Sequence, residues 1–152
     1  MPEEALQEIL RAGLYAPSGM GRQSVKLLAV QDPAAIAALE RLNGGVLGSP
    51  EAHPFYGAPT VCVVLADAAA FTAVEDGSLA LGNLMNAPHS LGIASCWIHR
   101  AREVFASAEG KALLQQWGVE GEWIGIGHCI LGYAAEPEKP AAPRLEGRIV
   151  RI

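Results

Sequence analysis

Apolar positions three and four apart open the chain: Leu6, Ile9, Leu10, Gly13 and Leu14. They predict an amphipathic helix starting at Pro2, with proline suited to a first turn and Glu3 and Glu4 near the positive helix end. Ala16-Pro17-Ser18-Gly19 stops it, because a residue before proline avoids the α region. Residues 25–31 (VKLLAVQ) then read as a strand. Asp32 is a capping residue before Pro33 and opens a helix to about Leu42, followed by a glycine- and proline-bearing loop over 43–57. Residues 60–66 (TVCVVLA) are apolar on both faces, as in a central strand covered by helices on each side. A helical pattern covers 71–91. Leu79, Gly82, Asn83 and Asn86 share one face and Leu81, Leu84 and Met85 another, which predicts a helix buried all round. Pro88 inside it predicts a kink or an end, with Gly92 as a natural C-cap. Strand 93–98, short helices 101–105 and 110–117, and strand 123–133 follow; glycines in the last permit close backbone approach. A proline-rich connector over 134–144 leads to 147–152 (GRIVRI), whose alternation predicts a terminal edge strand. This order of elements implies a sheet packed between helices.

Composition narrows the picture. A hydrophobic share of 51% against 18% charged residues excludes disorder and is rich for a lone monomer, so a buried oligomer interface is expected. A chain of 152 residues has room for one domain, 1–152. A net charge of −5 offers no basic field, which argues against nucleic acid and anionic membrane as partners. The most apolar stretch, 58–74, is interrupted by Pro59 and Asp67 and is not expected to span a bilayer. The acidic start lacks a secretory pattern, and Cys62, Cys96 and Cys129, an odd set in apolar runs, read as buried free thiols of a cytoplasmic protein.

Side-chain chemistry is sparse. Cys96-x-x-His99 and His128-Cys129 have zinc-ligand types, but both pairs fall in strands and residues 128 and 129 point to opposite faces, so no metal is expected. No Gly-x-Ser-x-Gly elbow is present. Gly125-x-Gly127 lacks the third glycine of a dinucleotide fingerprint and lies late in a strand. Glu75 and Asp76 sit where acidic residues at a helix start are expected anyway. An enzyme whose cofactor performs the chemistry would read this way.

Six segments, in order, carry a resemblance: Tyr15-Ala-Pro-Ser-Gly-Met-Gly-Arg-Gln23, Phe55-Tyr-Gly-Ala-Pro59, Asp76-Gly-Ser-Leu-Ala-Leu-Gly-Asn-Leu84, His89-Ser-Leu-Gly92, Ser95-Cys-Trp-Ile-His-Arg100 and Gly125-Ile-Gly-His-Cys-Ile-Leu-Gly-Tyr133. Together they resemble the flavin (FMN)-dependent nitroreductase family over nearly the whole chain. The resemblance implies an α+β sandwich, with a central mixed sheet flanked by helices, forming an intertwined homodimer with FMN at the subunit interface. It implies ping-pong chemistry, in which NADH or NADPH passes a hydride to the flavin and the reduced flavin reduces a nitroaromatic, quinone or similar small-molecule acceptor.

Carried over by position, the resemblance gives Pro17, Ser18, Gly19, Gly21 and Gln23 of one subunit, and Trp97, Ile98 and His99 along the ring, as cofactor-binding residues. No protein side chain is catalytic in this scheme. Arg144, and more weakly Arg148, would hold the phosphate. The plainer alternatives are that Ser18 caps a turn, Trp97 is packing and the arginines are solvated. Against the family pattern, the arginine- and serine-bearing phosphate segment before the first helix is absent, Gly21 stands where an asparagine is usual, and Ala142 where a lysine often precedes the arginine, with Lys139 a distant substitute. The 43–53 stretch is short, and Pro88 interrupts a helix that is usually continuous. A non-catalytic flavin-binding or flavin-free descendant is the alternative reading.

Overall fold

The strand expected to be apolar on both faces is the centre of the molecule. Thr60–Asp67 forms β2, and every residue from Thr60 to Ala66 is buried. Val61, Val63 and Leu65 point into one core, and Cys62, Val64 and Ala66 into another. That period-two split requires a cover on each face. The computed structural model describes residues 1–137 and 140–152. Lys139 lies outside the described residues.

The covers are helices. On one side lie α1 (Glu3–Leu14) and α3 (Ala73–Ser90), which contribute Leu6, Ile9, Leu81 and Leu84. On the other lie α2 (Pro33–Leu47), α4 (Ala101–Ala106) and α5 (Ala108–Gln116), which contribute Leu39, Leu42, Val104, Phe105 and Leu114. Each such side chain contributes about 1.5–3 kcal/mol relative to exposure. Three further strands complete the sheet: β1 (Val25–Val30), β3 (Ala94–Ile98) and β4 (Trp123–Gly132), in the order β1-β2-β4-β3. This is the expected α+β sandwich. Its pairings are antiparallel throughout the described residues, where a mixed sheet is expected from the resemblance. The β2–β4 register slips at Val64/Leu65. Beside the slip, Gly125 and Gly127 admit the Ala101 carbonyl and the Trp97 indole so closely that neither position has room for a Cβ.

Four local expectations are corrected. The second helix does not stop at Leu42: Asn43 is fully buried with its amide engaged by a neighbouring loop, and the helix continues to a left-handed cap at Gly48 (φ 80°). Tertiary bonding overrides the weak helix propensity of Asn-Gly-Gly there. Of the kink or end expected at Pro88, the end does not occur: α3 runs to Ser90, close to the expected Leu91. The α3 helix is not buried all round, since Leu79 is 49% exposed while Leu81 and Leu84 are buried. Residues 147–152 form no strand: they pair with neither open edge of the sheet, β1 or β3. Asp32 caps α2 as expected, accepting from the Ala35 N–H at 2.8 Å. Among the described residues no helix is long and apolar enough to cross a membrane.

Candidate functional site

The α1–β1 loop is held in a costly shape. Beyond Pro17, the N–H of Gly21 donates to the Ser18 carbonyl at 2.9 Å, and the Gln23 N–H donates to the Ser18 hydroxyl at 2.9 Å. Ser18 therefore closes a turn, as the plainer alternative has it. Met20 (φ 56°) and Gln23 (φ 51°) lie in the left-handed region, as does Gly21 (φ 65°). A non-glycine residue there costs on the order of 1–3 kcal/mol and persists only when its surroundings over-determine it.

Asp76, in the first turns of α3, supplies the determination. Its Oδ1 accepts from the Gly19 N–H at 2.8 Å, and its Oδ2 accepts from the hydroxyls of Ser24 at 2.6 Å and Thr72 at 3.1 Å. The side chain is buried. Burial raises its pKa, but the bonds from Ser24, Gly19 and Thr72 together outweigh it and hold the carboxyl below its ordinary value. Gly19 lies so close to Thr72 that a Cβ would collide with that side chain. Pro17, Ser18, Gln23, Asp76 and Ala80 line a small cavity of about 100 Å³.

The second candidate segment crosses from β3 into α4. The half-buried Trp97 packs on the α1/α3 side, Ile98 is buried on the opposite side, and His99 is exposed. The His99 carbonyl accepts from Asn43 Nδ2 at 2.8 Å, and Arg100 Nε donates to Asn43 Oδ1 at 3.0 Å. Arg100 itself is left-handed (φ 76°). One buried amide thus ties down two consecutive residues of the turn, His99 by its backbone and Arg100 by its side chain. Beside it His128 is fully buried between Phe55 and Phe105, with ring centroids 5.3 and 6.0 Å away. Neither ring nitrogen makes a hydrogen bond of good geometry among the described residues, although the Ile98 and His99 backbone groups stand close enough to favour the ring's charged form. Burial pushes its pKa down to about 4, against the opposing pull of the Ile98 and His99 backbone and with the help of the Arg100 charge. The ring is neutral at pH 7.

Arg144 and Arg148 lie on exposed coil after β4; Arg144 Nη1 donates to the Ala142 carbonyl at 3.3 Å. The cavity that gathers Pro17, Ser18 and Gln23 is lined by none of Trp97, Ile98, His99 or these arginines. The structure therefore brings the expected residues together in three groups, with Gly21 exposed at the loop tip. Sequence reading misses Asp76 and Asn43. Their only signal is type: a carboxylate four residues after Thr72, and an amide inside an otherwise apolar helix face. Cys62 and Cys129 are buried, but Cys96 is exposed, contrary to expectation, because β3 is an edge strand.

Comparison with known proteins adds context. A model of the Nitroreductase family matches residues 1–133. A nitroreductase with bound FMN from Bacteroides fragilis is 30% identical, with a TM-score of 0.87 and coverage of 100% of this chain and 88% of that one. Another, with bound FMN from Desulfitobacterium hafniense, is 26% identical with a TM-score of 0.87 and covers 100% and 88%. An iodotyrosine deiodinase bound to FMN and 3-iodo-L-tyrosine shares the fold at 24% identity, with a TM-score of 0.75 and coverage of 99% and 88%. No curated protein matches.

Proposed function

The chain belongs to the nitroreductase family, and from that premise we propose that it is an FMN-dependent NAD(P)H oxidoreductase reducing nitroaromatic, quinone or similar acceptors by ping-pong hydride transfer. The observation that carries the reading is the 30% identity, over the whole of this chain, to a nitroreductase with bound FMN. The whole chain, 1–152, acts as one nitroreductase-like domain, as a homodimer in the cytoplasm. The free cysteines fit a reducing compartment.

The residues present fit FMN only if two copies share it. Sites for ligands of this size have volumes of roughly 300–1,000 Å³, and the cavity beside Pro17, Ser18 and Gln23 has about 100 Å³. Large apolar side chains stand exposed around the loop: Tyr15 and Met20 at 80%, Phe71 at 70%. Gathered apolar surface of that kind calls for a cover, and a second copy provides one. FMN, when bound, supplies the reversible two-electron chemistry that no side chain here offers. Pro17, Ser18, Gly19, Gly21 and Gln23 of one copy would border it on one side. Trp97, Ile98 and His99 would border it on the other, where Asn43 holds the His99 carbonyl and the Trp97 ring would exclude water. Arg144 and Arg148 are the cations available for the phosphate, and NADH or NADPH is the reductant.

Purified protein titrated with FMN is expected to quench flavin fluorescence. The complex is expected to oxidise NADH or NADPH in the presence of a quinone. A colourless protein with no quenching would overturn the reading. One observation favours a second reading, a flavin-binding or flavin-free descendant without catalysis. Both candidate phosphate arginines lie on exposed coil, and Gly21 supplies no side-chain amide. Binding of FMN without any NAD(P)H oxidation at excess flavin would decide for it.

A further inference from the structure

We propose that Asp76 is the positioning residue of the 18–24 loop: its carboxylate, tied to Gly19, Ser24 and Thr72, holds the loop in the strained shape that flavin binding uses. This rests on the flavin reading of the loop given above. The loop is strained. Met20 and Gln23 hold left-handed backbone angles within four residues of one another, and the loop's internal bonds, Gly21 N–H to the Ser18 carbonyl and Gln23 N–H to the Ser18 hydroxyl, are ordinary turn bonds. Arg22 adds one more turn bond, its N–H to the Gly19 carbonyl at 3.2 Å, and an exposed contact, its guanidinium 5.9 Å from the centre of the Phe71 ring. At its far end the Ser24 carbonyl accepts from the Asp67 N–H of β2 at 2.9 Å, and the side-chain bonds that join the loop to the body through a buried group are those to Asp76. They grip it at both ends, Gly19 before the strained residues and Ser24 after them. Thr72 braces the same oxygen and also stands against Gly19, so loop and helix are locked at one point.

Asp76 lies beneath the loop, bonded to its frame, so its role is geometric. Geometry and charge are separable here. In Asp76→Asn the amide oxygen still accepts from the Gly19 N–H, and the two hydroxyls turn to accept from the amide nitrogen, since a hydroxyl both donates and accepts. Asp76→Ala leaves all three donors without a partner.

The test is hydrogen exchange over 18–24, tryptic cleavage after Arg22, and FMN affinity by fluorescence quenching. These are measured on the full-length wild type, Asp76→Ala, Asp76→Asn and, as a stability-matched control in the other core, Leu114→Ala. Asp76→Ala is expected to lose protection over 18–24, to be cut faster at Arg22 and to bind FMN about tenfold more weakly, the scale of losing charge-assisted hydrogen bonds. Asp76→Asn is expected to restore both protection and affinity to within about threefold. Leu114→Ala is expected to lower Tm without moving either. If Asp76→Ala does not fold, Ser24→Ala/Thr72→Ala removes two of the three donors and is expected to shift the same readouts in the same direction. Unchanged protection in Asp76→Ala, or lost protection with unchanged FMN affinity, overturns the proposal while leaving the flavin reading intact. Failure of Asp76→Asn to restore the loop overturns the geometric role in favour of a purely electrostatic one. A wild type that binds no FMN overturns the flavin reading itself, and exchange over 18–24 then still decides whether Asp76 holds the loop.

Discussion

His128 and Asp76 give the molecule an acid-sensitive stability of predictable sign. The folded pKa of His128 is lowered from 6.5 to about 4. Between those values the unfolded chain binds a proton that the folded chain does not, so stability falls as pH drops from about 6.5 to about 4 and levels off below. The loss is on the order of 3 kcal/mol. Asp76, lowered from 3.8 by its three donors, adds a second loss as pH falls through its folded value. His128→Leu removes a buried ring whose nitrogens make no hydrogen bond of good geometry among the described residues, a change expected to be neutral or stabilising at pH 5. It should flatten the upper step and leave the lower one. Urea unfolding of both proteins across pH 3–7 checks this, and an unchanged slope between pH 4 and 6.5 would refute it. The cysteines divide in the same way. Burial pushes the Cys62 thiol up to about 12 and raises Cys129 further, while Cys96 stands exposed. A thiol reagent is expected to label Cys96 alone in native protein and all three in denaturant, as read by mass spectrometry. Little of this was legible from sequence. Asp76 reads as an ordinary acidic residue at a helix start, and only the fold brings Gly19 and Ser24 to it from more than fifty positions away.

Helix α3 passes through Pro88 because its neighbours repair the damage. Proline has no N–H to give the carbonyl four residues back. That carbonyl is Leu84's, and the Cys129 thiol points at it from β4 at 3.6 Å. One residue on, the Met85 carbonyl accepts from the Ser95 hydroxyl of β3 at 3.0 Å. The helix is thus stitched to two strands at the point where it should fail. Cys129→Ala is expected to leave the Leu84 carbonyl without that donor and to cost about 1–3 kcal/mol with the cavity included. In a Pro88→Ala background the backbone N–H returns, and the cost of Cys129→Ala is expected to shrink by about 1 kcal/mol. Chemical denaturation of the four proteins gives this coupling, and strictly additive costs would refute it. Local pattern made the strands, the Asp32 cap and the order of elements legible in advance, since burial on both faces of β2 is written in its composition. The end of α2 was not legible, and although the helical pattern over 71–91 was, what lets α3 pass Pro88 was not. Both depend on single side chains from distant strands or loops, Asn43 meeting His99 and Cys129 meeting Leu84. Each described pairing of the four-stranded sheet is antiparallel, and the alternation in 147–152 did not by itself place those residues on either open edge, β1 or β3.

At the scale of the whole molecule, the flavin reading proposed above requires two copies to complete each site. The strained loop faces a cavity too small for a three-ring cofactor, and the 97–99 segment and the tail arginines do not line it. If two copies complete each other, the loop of one and the β3 turn of its partner form each site, and a symmetric pair holds two such sites. That arrangement makes complementation quantitative. Gln23→Ala spoils the loop half, and Trp97→Ala spoils the β3 half. Either homodimer has two damaged sites. In a random mixture of the two, half the dimers are mixed, and each mixed dimer carries one intact site beside one doubly damaged site, so about one quarter of all sites regain full FMN affinity. Unfolding and refolding the two variants together, then titrating with FMN, is expected to show that tight fraction, and refolding them separately is expected to show none. Sites built within single chains would give no tight fraction in either case. FMN would also stabilise the pair over its separated chains, since a ligand held only by the dimer shifts association by mass action. Apparent FMN affinity should therefore rise with protein concentration up to the dimer dissociation constant and be constant above it.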